Sequence, residues 1–210
     1  MKFGINILNY GPRSDPETFK QWALFAEEVG YHLVMISDHV ANTSDVQEVF
    51  PVPFYDPFVT LAWLAGLTHK VELGTTVAIL PYRHPLLTAR LAANLDQLSH
   101  GRFILGVGIG WAQQEFEALG IPFRQRGGLS DEYMEVTERP LPEASRVAGQ
   151  GTLDQVRADL AGLAALGATY VLLDTFVGYA DERLAQPERA WEMLALLADE
   201  VLDLAQEGLR

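Results

Sequence analysis

Hydrophobic and polar positions alternate between two periods along this chain, and the alternation repeats. In "WALFAEEVGYHLVMIS" the apolar residues Trp22, Phe25, Ala26 and Val29 recur at helical spacing; Gly30 follows, and then an unbroken apolar run from Leu33 to Ile36. The first half has the period of an amphipathic helix and the second the density of a buried strand. "LAWLAGLTHKVELGTTVAIL", "LAANLDQLSHGRFILGVGIG" and "LAGLAALGATYVLLDTF" repeat the phrase. Gly30, Gly101 and Gly167 stand where helices are expected to end in a left-handed residue. Helix starts are marked as well. Asp15-Pro16, Asp56-Pro57 and His84-Pro85 each set a capping side chain before a proline suited to the first helical turn, and Thr152 to Gln155 has the form of a capping box.

Five strands are predicted, at about residues 2–8, 33–37, 71–79, 102–108 and 169–174. They are apolar nearly throughout, as parallel strands covered on both faces are. Strand–helix repetition of this kind means an α/β fold, built as an open doubly wound sheet or as a closed barrel. At 210 residues the chain is most economically one domain, residues 1–210, and it is short of the ~250 residues of a full eight-fold barrel. In either architecture the ligand site lies at the carboxyl ends of the strands. That explains why the apolar run "VMIS" finishes abruptly on Asp38 and His39: polar groups there can meet a ligand, although a loop cap is the simpler use of such a pair.

Composition narrows the function. The formal net charge of -13 argues against a nucleic-acid surface, and the absence of cysteine removes disulfides, thiolate metal sites and a cysteine nucleophile. No run approaches a membrane span, and the N-terminal apolar stretch is too short for a signal segment, so a soluble, cytoplasmic protein is expected.

Three stretches carry candidate chemistry. "LGVGIGW" runs a strand into Gly106, Gly108 and Gly110 ahead of Trp111 and a helix containing Glu115; bare backbone there can approach a phosphate or a flat ring, or only allow tight packing. As GxGxG in the fourth unit it is a weak dinucleotide fingerprint. "LGTTVAILPYRHP" ends a strand in Thr75, Thr76 and Val77, then reaches Arg83, a cation suited to phosphate or carboxylate unless it is merely solvated. The third is the Asp38–His39 pair. The five histidines lack metal-ligand spacing, so no metal is expected, and no nucleophile elbow occurs. Strand-terminal acids are few, chiefly Asp38 and Asp174. Trp22, Trp63 and Trp191 are expected in the core.

Taken together, "FGI", "SDHV", the long segment "PFYDPFVTLAWLAGLTHKVELGTTVAILPYRHPLLTARLAANLDQLSHGRFILGVGIGW" and "EFEALG" resemble the bacterial-luciferase-like flavin and deazaflavin oxidoreductases, most closely the F420-dependent branch. The likeness is dense over residues 1–138, and "GTLDQVRADLAGLAALGATYVLLD" resembles the family's closing helix and strand. The resemblance implies a TIM-barrel-derived fold holding F420, or alternatively FMN, at its mouth. It implies cofactor-binding roles for Asp38, His39, Thr76, Val77, Gly106, Gly108, Gly110 and Trp111, with Arg83 available to an anionic tail beside Arg124 and Arg126. His39 and Asp38 become the candidate catalytic residues, the imidazole acting in proton handling beside the ring. Hydride or oxygen transfer on a small organic substrate is the implied activity, with a separate flavin reductase as partner for an FMN enzyme.

The chain departs from the family after "DEYMEV". There "TERPLPEASRVAGQ" (137–150) replaces about three βα units, roughly the fifth to seventh, which in the family carry much of the phosphate grip. An incomplete barrel leaves strand edges uncovered, so a homodimer is expected. A degenerate relative that binds a flavin-type ligand without catalysis, or serves as a scaffold, is the alternative.

Overall fold

The computed structural model describes residues 1–137, 145–146, 160–161, 163–164, 168–173, 194–199, 201–204 and 208–209. The elements run β1 (Lys2–Ile7), α1 (Pro16–Val29), β2 (Leu33–Ile36), α2 (Ser44–Gln47), α3 (Pro57–Ala65), β3 (Glu72–Thr75), β4 (Ala78–Ile79), α4 (Pro85–Leu98), β5 (Phe103–Ile104), β6 (Val107–Gly108), α5 (Gln113–Ala118) and α6 (Arg126–Thr137). β7 (Ser145–Arg146), β8 (Tyr170–Leu173) and a small antiparallel pair, β9 (Leu202–Asp203) with β10 (Gly208–Leu209), follow.

The three proline-marked helix starts form as the sequence indicates. The Asp15 carboxylate accepts from the Thr18 N–H at 2.9 Å, Asp56 from Val59 at 3.0 Å, and His84 Nδ1 from Leu86 at 3.3 Å. Each satisfies a donor that the first turn leaves open. α1 closes on Gly30 at φ 95°. After α4 the left-handed turn takes two residues, His100 at φ 58° and Gly101 at φ 81°. Gly167 and the Thr152–Gln155 box lie outside the described residues.

Six strands form one sheet in the order β5-β3-β2-β1-β8-β7, parallel at every pairing. This order separates the two architectures the sequence left open. From β1 the chain steps one way to β2, β3 and β5, and it returns by the far side, where β7 is outermost and β8 lies against β1. A doubly wound sheet would instead resume next to β1 and move outward. The winding is that of a barrel, and among the described residues the barrel is not closed: β5 and β7 are its two edges. Within the 137–150 segment, Thr137 ends α6, and Ser145–Arg146 pairs in parallel with Val171–Leu172.

Alternation along the strands sorts side chains into two layers. Phe3, Ile5, Ile7, Val34, Ile36, Leu73 and Val171 pack against Phe19, Trp22, Ala23 and Ala26 of α1 and Phe58, Leu61 and Leu64 of α3. The opposite, interior face carries Leu33, Met35 and Leu172, with Ile104 and Tyr170 against them. Trp22 is buried as expected, but Trp63 is 40% exposed and corrects the expectation that it is core. The sheet-facing stripe of α3 is filled by Phe58, Leu61, Leu64 and Ala65, and Trp63 shares the outer stripe with the exposed Val59. Trp191 lies outside the described residues.

Two predicted strands, 71–79 and 102–108, are each interrupted. β3 stops at Thr75 and resumes as β4 after the peptide bond between Thr76 and Val77, which is cis. β5 stops at Ile104 and resumes as β6. The shorter halves pair with each other, Ala78 with Val107 and Ile79 with Gly108. At the break the Gly106 carbonyl accepts from Thr75 Oγ1 at 2.7 Å and from the Ala78 N–H at 2.8 Å, so the polar backbone freed by the interruption is satisfied.

Candidate functional site

β2 ends in Ser37, Asp38 and His39, and the next residues turn away from the sheet. Asp38 is 2% exposed. Its Oδ2 accepts from the Ile79 N–H at 2.9 Å and from Arg83 at 2.6 Å, and its Oδ1 accepts from the same guanidinium at 2.8 Å. Arg83 also reaches Asp56, the cap of α3, at 2.9 Å. Burial opposes its charge, but the two carboxylates more than offset that, and the guanidinium pKa is raised. A planar fork held by two carboxylates is a geometric clamp that lysine would not reproduce. It ties the end of β2 to the start of β4 and to α3, and its two-pronged face is occupied by Asp38 itself.

His39 turns the other way. Its Nδ1 lies 2.6 Å from Glu115 Oε2 on α5. The second carboxylate oxygen of Glu115 accepts from the N–H groups of Val40 at 2.6 Å and Ala41 at 2.8 Å. Glu115 has no exposed surface. Burial acts to raise its pKa, yet the hydrogen bond and charge of His39 and the Ala41 N–H hold it below the ordinary carboxylate value. An ionised carboxylate on Nδ1 favours the tautomer with the proton on that nitrogen, which leaves Nε2 as the acceptor. The imidazole is boxed by aromatic rings: Phe50 at 5.1 Å, Phe54 at 5.4 Å and Trp111 at 5.8 Å between centroids. Tyr82, on the turn after β4, stands beside Glu115 with its hydroxyl buried and no well-formed hydrogen bond among the described residues. Burial and that nearby carboxylate push its pKa up.

The glycine run packs against the β3–β4 segment. A Cβ on Gly106 would fall 2.1 Å from the Thr75 carbonyl oxygen, one on Gly108 2.4 Å from Val77 Cγ2, and one on Gly110, at φ 75°, 2.8 Å from Ile79 Cγ2. The bare backbone at these positions is therefore used within the chain, whatever else it receives. Beyond it, Val77, Ile109 and Trp111 expose 40%, 49% and 47% of their surfaces.

The geometry brings Asp38, His39, Val77, Arg83, Gly108 and Trp111 to one rim, while Asp174 lies outside the described residues. Ile79 donates to Asp38 and pairs with Gly108; Val77 touches Gly108; Trp111 touches His39. Sequence reasoning missed four contributors: Glu115 as the partner of His39, Phe50 and Phe54 as walls of its box, and Asp56 as the second ligand of Arg83. A glutamate beside Phe116 on a six-residue helix was the only visible sign of the first. Arg126, one of the three arginines assigned to an anionic tail, stacks on Phe123 with its guanidinium carbon 3.9 Å from the ring centre.

A family model for luciferase-like monooxygenases matches residues 1–165. The chain belongs to that family. It is 35% identical over 123 residues to the 5,10-methylenetetrahydromethanopterin reductase of Methanopyrus kandleri, covering 59% of this chain and 31% of that protein. The chain spans less than half the length of the curated relatives it matches. Among solved structures, the monooxygenase RslO1 of Streptomyces bottropensis superposes with a TM-score of 0.57 over 94% of this chain and 66% of that one, at 24% identity, which speaks to the fold. The oxygenating constituent of 3,6-diketocamphane monooxygenase from the CAM plasmid of Pseudomonas putida, solved in complex with FMN, superposes with a TM-score of 0.52 at 27% identity, over 65% of this chain and 37% of that one.

Proposed function

We propose that this chain is the cofactor-seating part of an F420- or FMN-dependent oxidoreductase acting on a small organic substrate by hydride or oxygen transfer. The observation that carries the reading is the buried Glu115–His39 pair at 2.6 Å, which aims an oriented imidazole from the carboxyl end of β2. The residues present suit the ring portion of such a cofactor: exposed Val77, Ile109 and Trp111 offer apolar surface to a flat heterocycle, and His39 offers one polar atom at its edge. When bound, the cofactor supplies the redox chemistry, and the protein's part is orientation, exclusion of water and proton handling.

In this reading His39 holds or passes a proton at Nε2, and Glu115 fixes the tautomer and steadies the imidazolium. Asp38 is a positioning residue, since its oxygens are spent on Ile79 and Arg83. Membership of the F420-dependent branch rests on the long matched segment, and the FMN alternative on the likeness to the diketocamphane enzyme. An FMN-dependent activity requires a separate flavin reductase as partner. A homodimer covers the open sheet edges at β5 and β7.

Equilibrium titration of the purified protein with F420 and with FMN, followed by absorbance and fluorescence, tests the proposal. Saturable binding of one is expected, and binding of neither overturns it. A second reading, a non-catalytic scaffold of the same family, is favoured by the sheet that does not close among the described residues.

A further inference from the structure

Among the described residues, the interior face of the sheet carries at Asn6 a polar side chain that the packing does not account for. Ile5 and Ile7 belong to the helix-facing core, so Gly4 and Asn6 face the interior. The register sets Asn6 level with Met35, Met35 with Gly74, and Gly74 with Ile104. This row lies one step below Thr76 and Gly106, directly under the rim. It is otherwise apolar: the Met35 methyl lies 2.9 Å from where a Cβ on Gly74 would stand and 3.6 Å from one on Gly106. Asn6 is 3% exposed, and its Oδ1 has no hydrogen-bond partner among the described residues. Asn9, also buried and two residues past the end of the same strand, shows what a structural asparagine does here: it donates to the carbonyls of Ser37 and Tyr55 and accepts from the Ser37 N–H.

A buried amide without a partner is destabilising relative to an apolar side chain of similar shape, and native chains keep few of them. We infer that Asn6 serves a ligand. Its amide presents an acceptor and a donor side by side, which complements the adjacent N–H and C=O of a cyclic imide. The Met35 methyl takes the space beside Gly74, so a flat edge reaches Asn6 as that flexible thioether side chain moves aside. The inference rests on the flavin-type reading of the rim and adds which edge points inward: the pyrimidinedione, which FMN and F420 share. Asn6 is thus a specificity-determining residue.

The test compares lumichrome, the bare tricyclic ring system with this edge, and N3-methyllumichrome, which keeps both carbonyls and lacks the N3–H between them. Binding is read by fluorescence quenching, with FMN and F420 titrated in parallel to separate the two cofactors. Wild-type protein is expected to favour lumichrome about tenfold over the methylated ring. Asn6→Leu is expected to lose that preference and, without ligand, to melt at a higher temperature than wild type. Should Asn6→Leu fail to fold, Asn6→Ala replaces it, and the wild-type comparison needs no variant. Equal wild-type affinity for both rings overturns the inference while leaving the proposed function standing if FMN or F420 binds. A variant that melts lower and keeps the preference assigns Asn6 to structure and also overturns it. Wild-type protein that binds none of the four overturns both.

Discussion

Replacing Glu115 with Gln removes one charge and almost no volume. At neutral pH the wild-type carboxylate receives three charge-assisted contacts, from His39, Val40 and Ala41, in a site closed to solvent. The glutamine oxygen can keep the two backbone donors, but its NH2 group must face His39 Nδ1, which then becomes an acceptor and moves the ring proton to Nε2. Losing the charge-assisted imidazole contact and weakening the other two is worth about 2–3 kcal/mol. With a urea slope of roughly 2 kcal/mol per molar, that is a fall of about 1 M in the unfolding midpoint at pH 7. The pH dependence has a definite sign. Folding lowers the Glu115 pKa, so its contribution is complete above the unfolded value of about 4.3 and is lost as pH falls through the lower folded value. The gap between wild type and Glu115→Gln should therefore be fully present above about pH 5 and close progressively below about pH 4. Urea unfolding followed by circular dichroism at stepped pH measures it. A gap that fails to shrink between about pH 5 and pH 3 would refute the buried carboxylate–imidazole pair.

Asp38→Asn should cost about 3–5 kcal/mol, because it strips one partner from a half-buried bidentate guanidinium; thermal unfolding reads it, and a loss under 1 kcal/mol would mean that Asp56 alone suffices. Gly108→Ala should destabilise by about 1–3 kcal/mol through Val77, and adding Val77→Ala should recover much of that, since the obstructing atom is a side-chain methyl. Gly106→Ala meets a backbone oxygen instead, and no single side-chain truncation should rescue its melting temperature. Trp111→Ala should shift the melting temperature little, given 47% exposure, while weakening cofactor binding in the same titration that tests the proposed function.

The parts of the fold that local chemistry dictates were legible in the sequence. Aspartate or histidine before proline set three helix starts, and apolar density marked β1, β2 and β8 within a residue or two. Interruption of the third and fourth strands was not legible: "GTTVAIL" holds no proline, charge or turn dipeptide at Thr76, and the break depends on how closely Gly106 approaches Thr75 across the sheet. Trp63 was misread because α3 is apolar on both sides, Val59 and Trp63 on one and Phe58, Leu61 and Leu64 on the other, and only the neighbouring strands decide which side is covered. The winding direction was likewise a tertiary fact, carried by β8 returning beside β1. At the site, Asp38, His39, Val77, Gly108 and Trp111 could be selected because they end strands. Glu115 could not, since a six-residue helix has too few turns to show which of its residues face inward. The partners of Arg83 were hidden for a related reason: Asp38 and Asp56 are 45 and 27 residues away.

The structure of this protein with F420 or FMN bound tests the central claim most directly. The ring system is expected at the carboxyl ends of β2, β4 and β6, with His39 Nε2 at its edge and Val77, Gly108 and Trp111 in contact with it. A ring seated elsewhere, with His39 still closed behind Phe50 and Phe54 and out of reach, would contradict it.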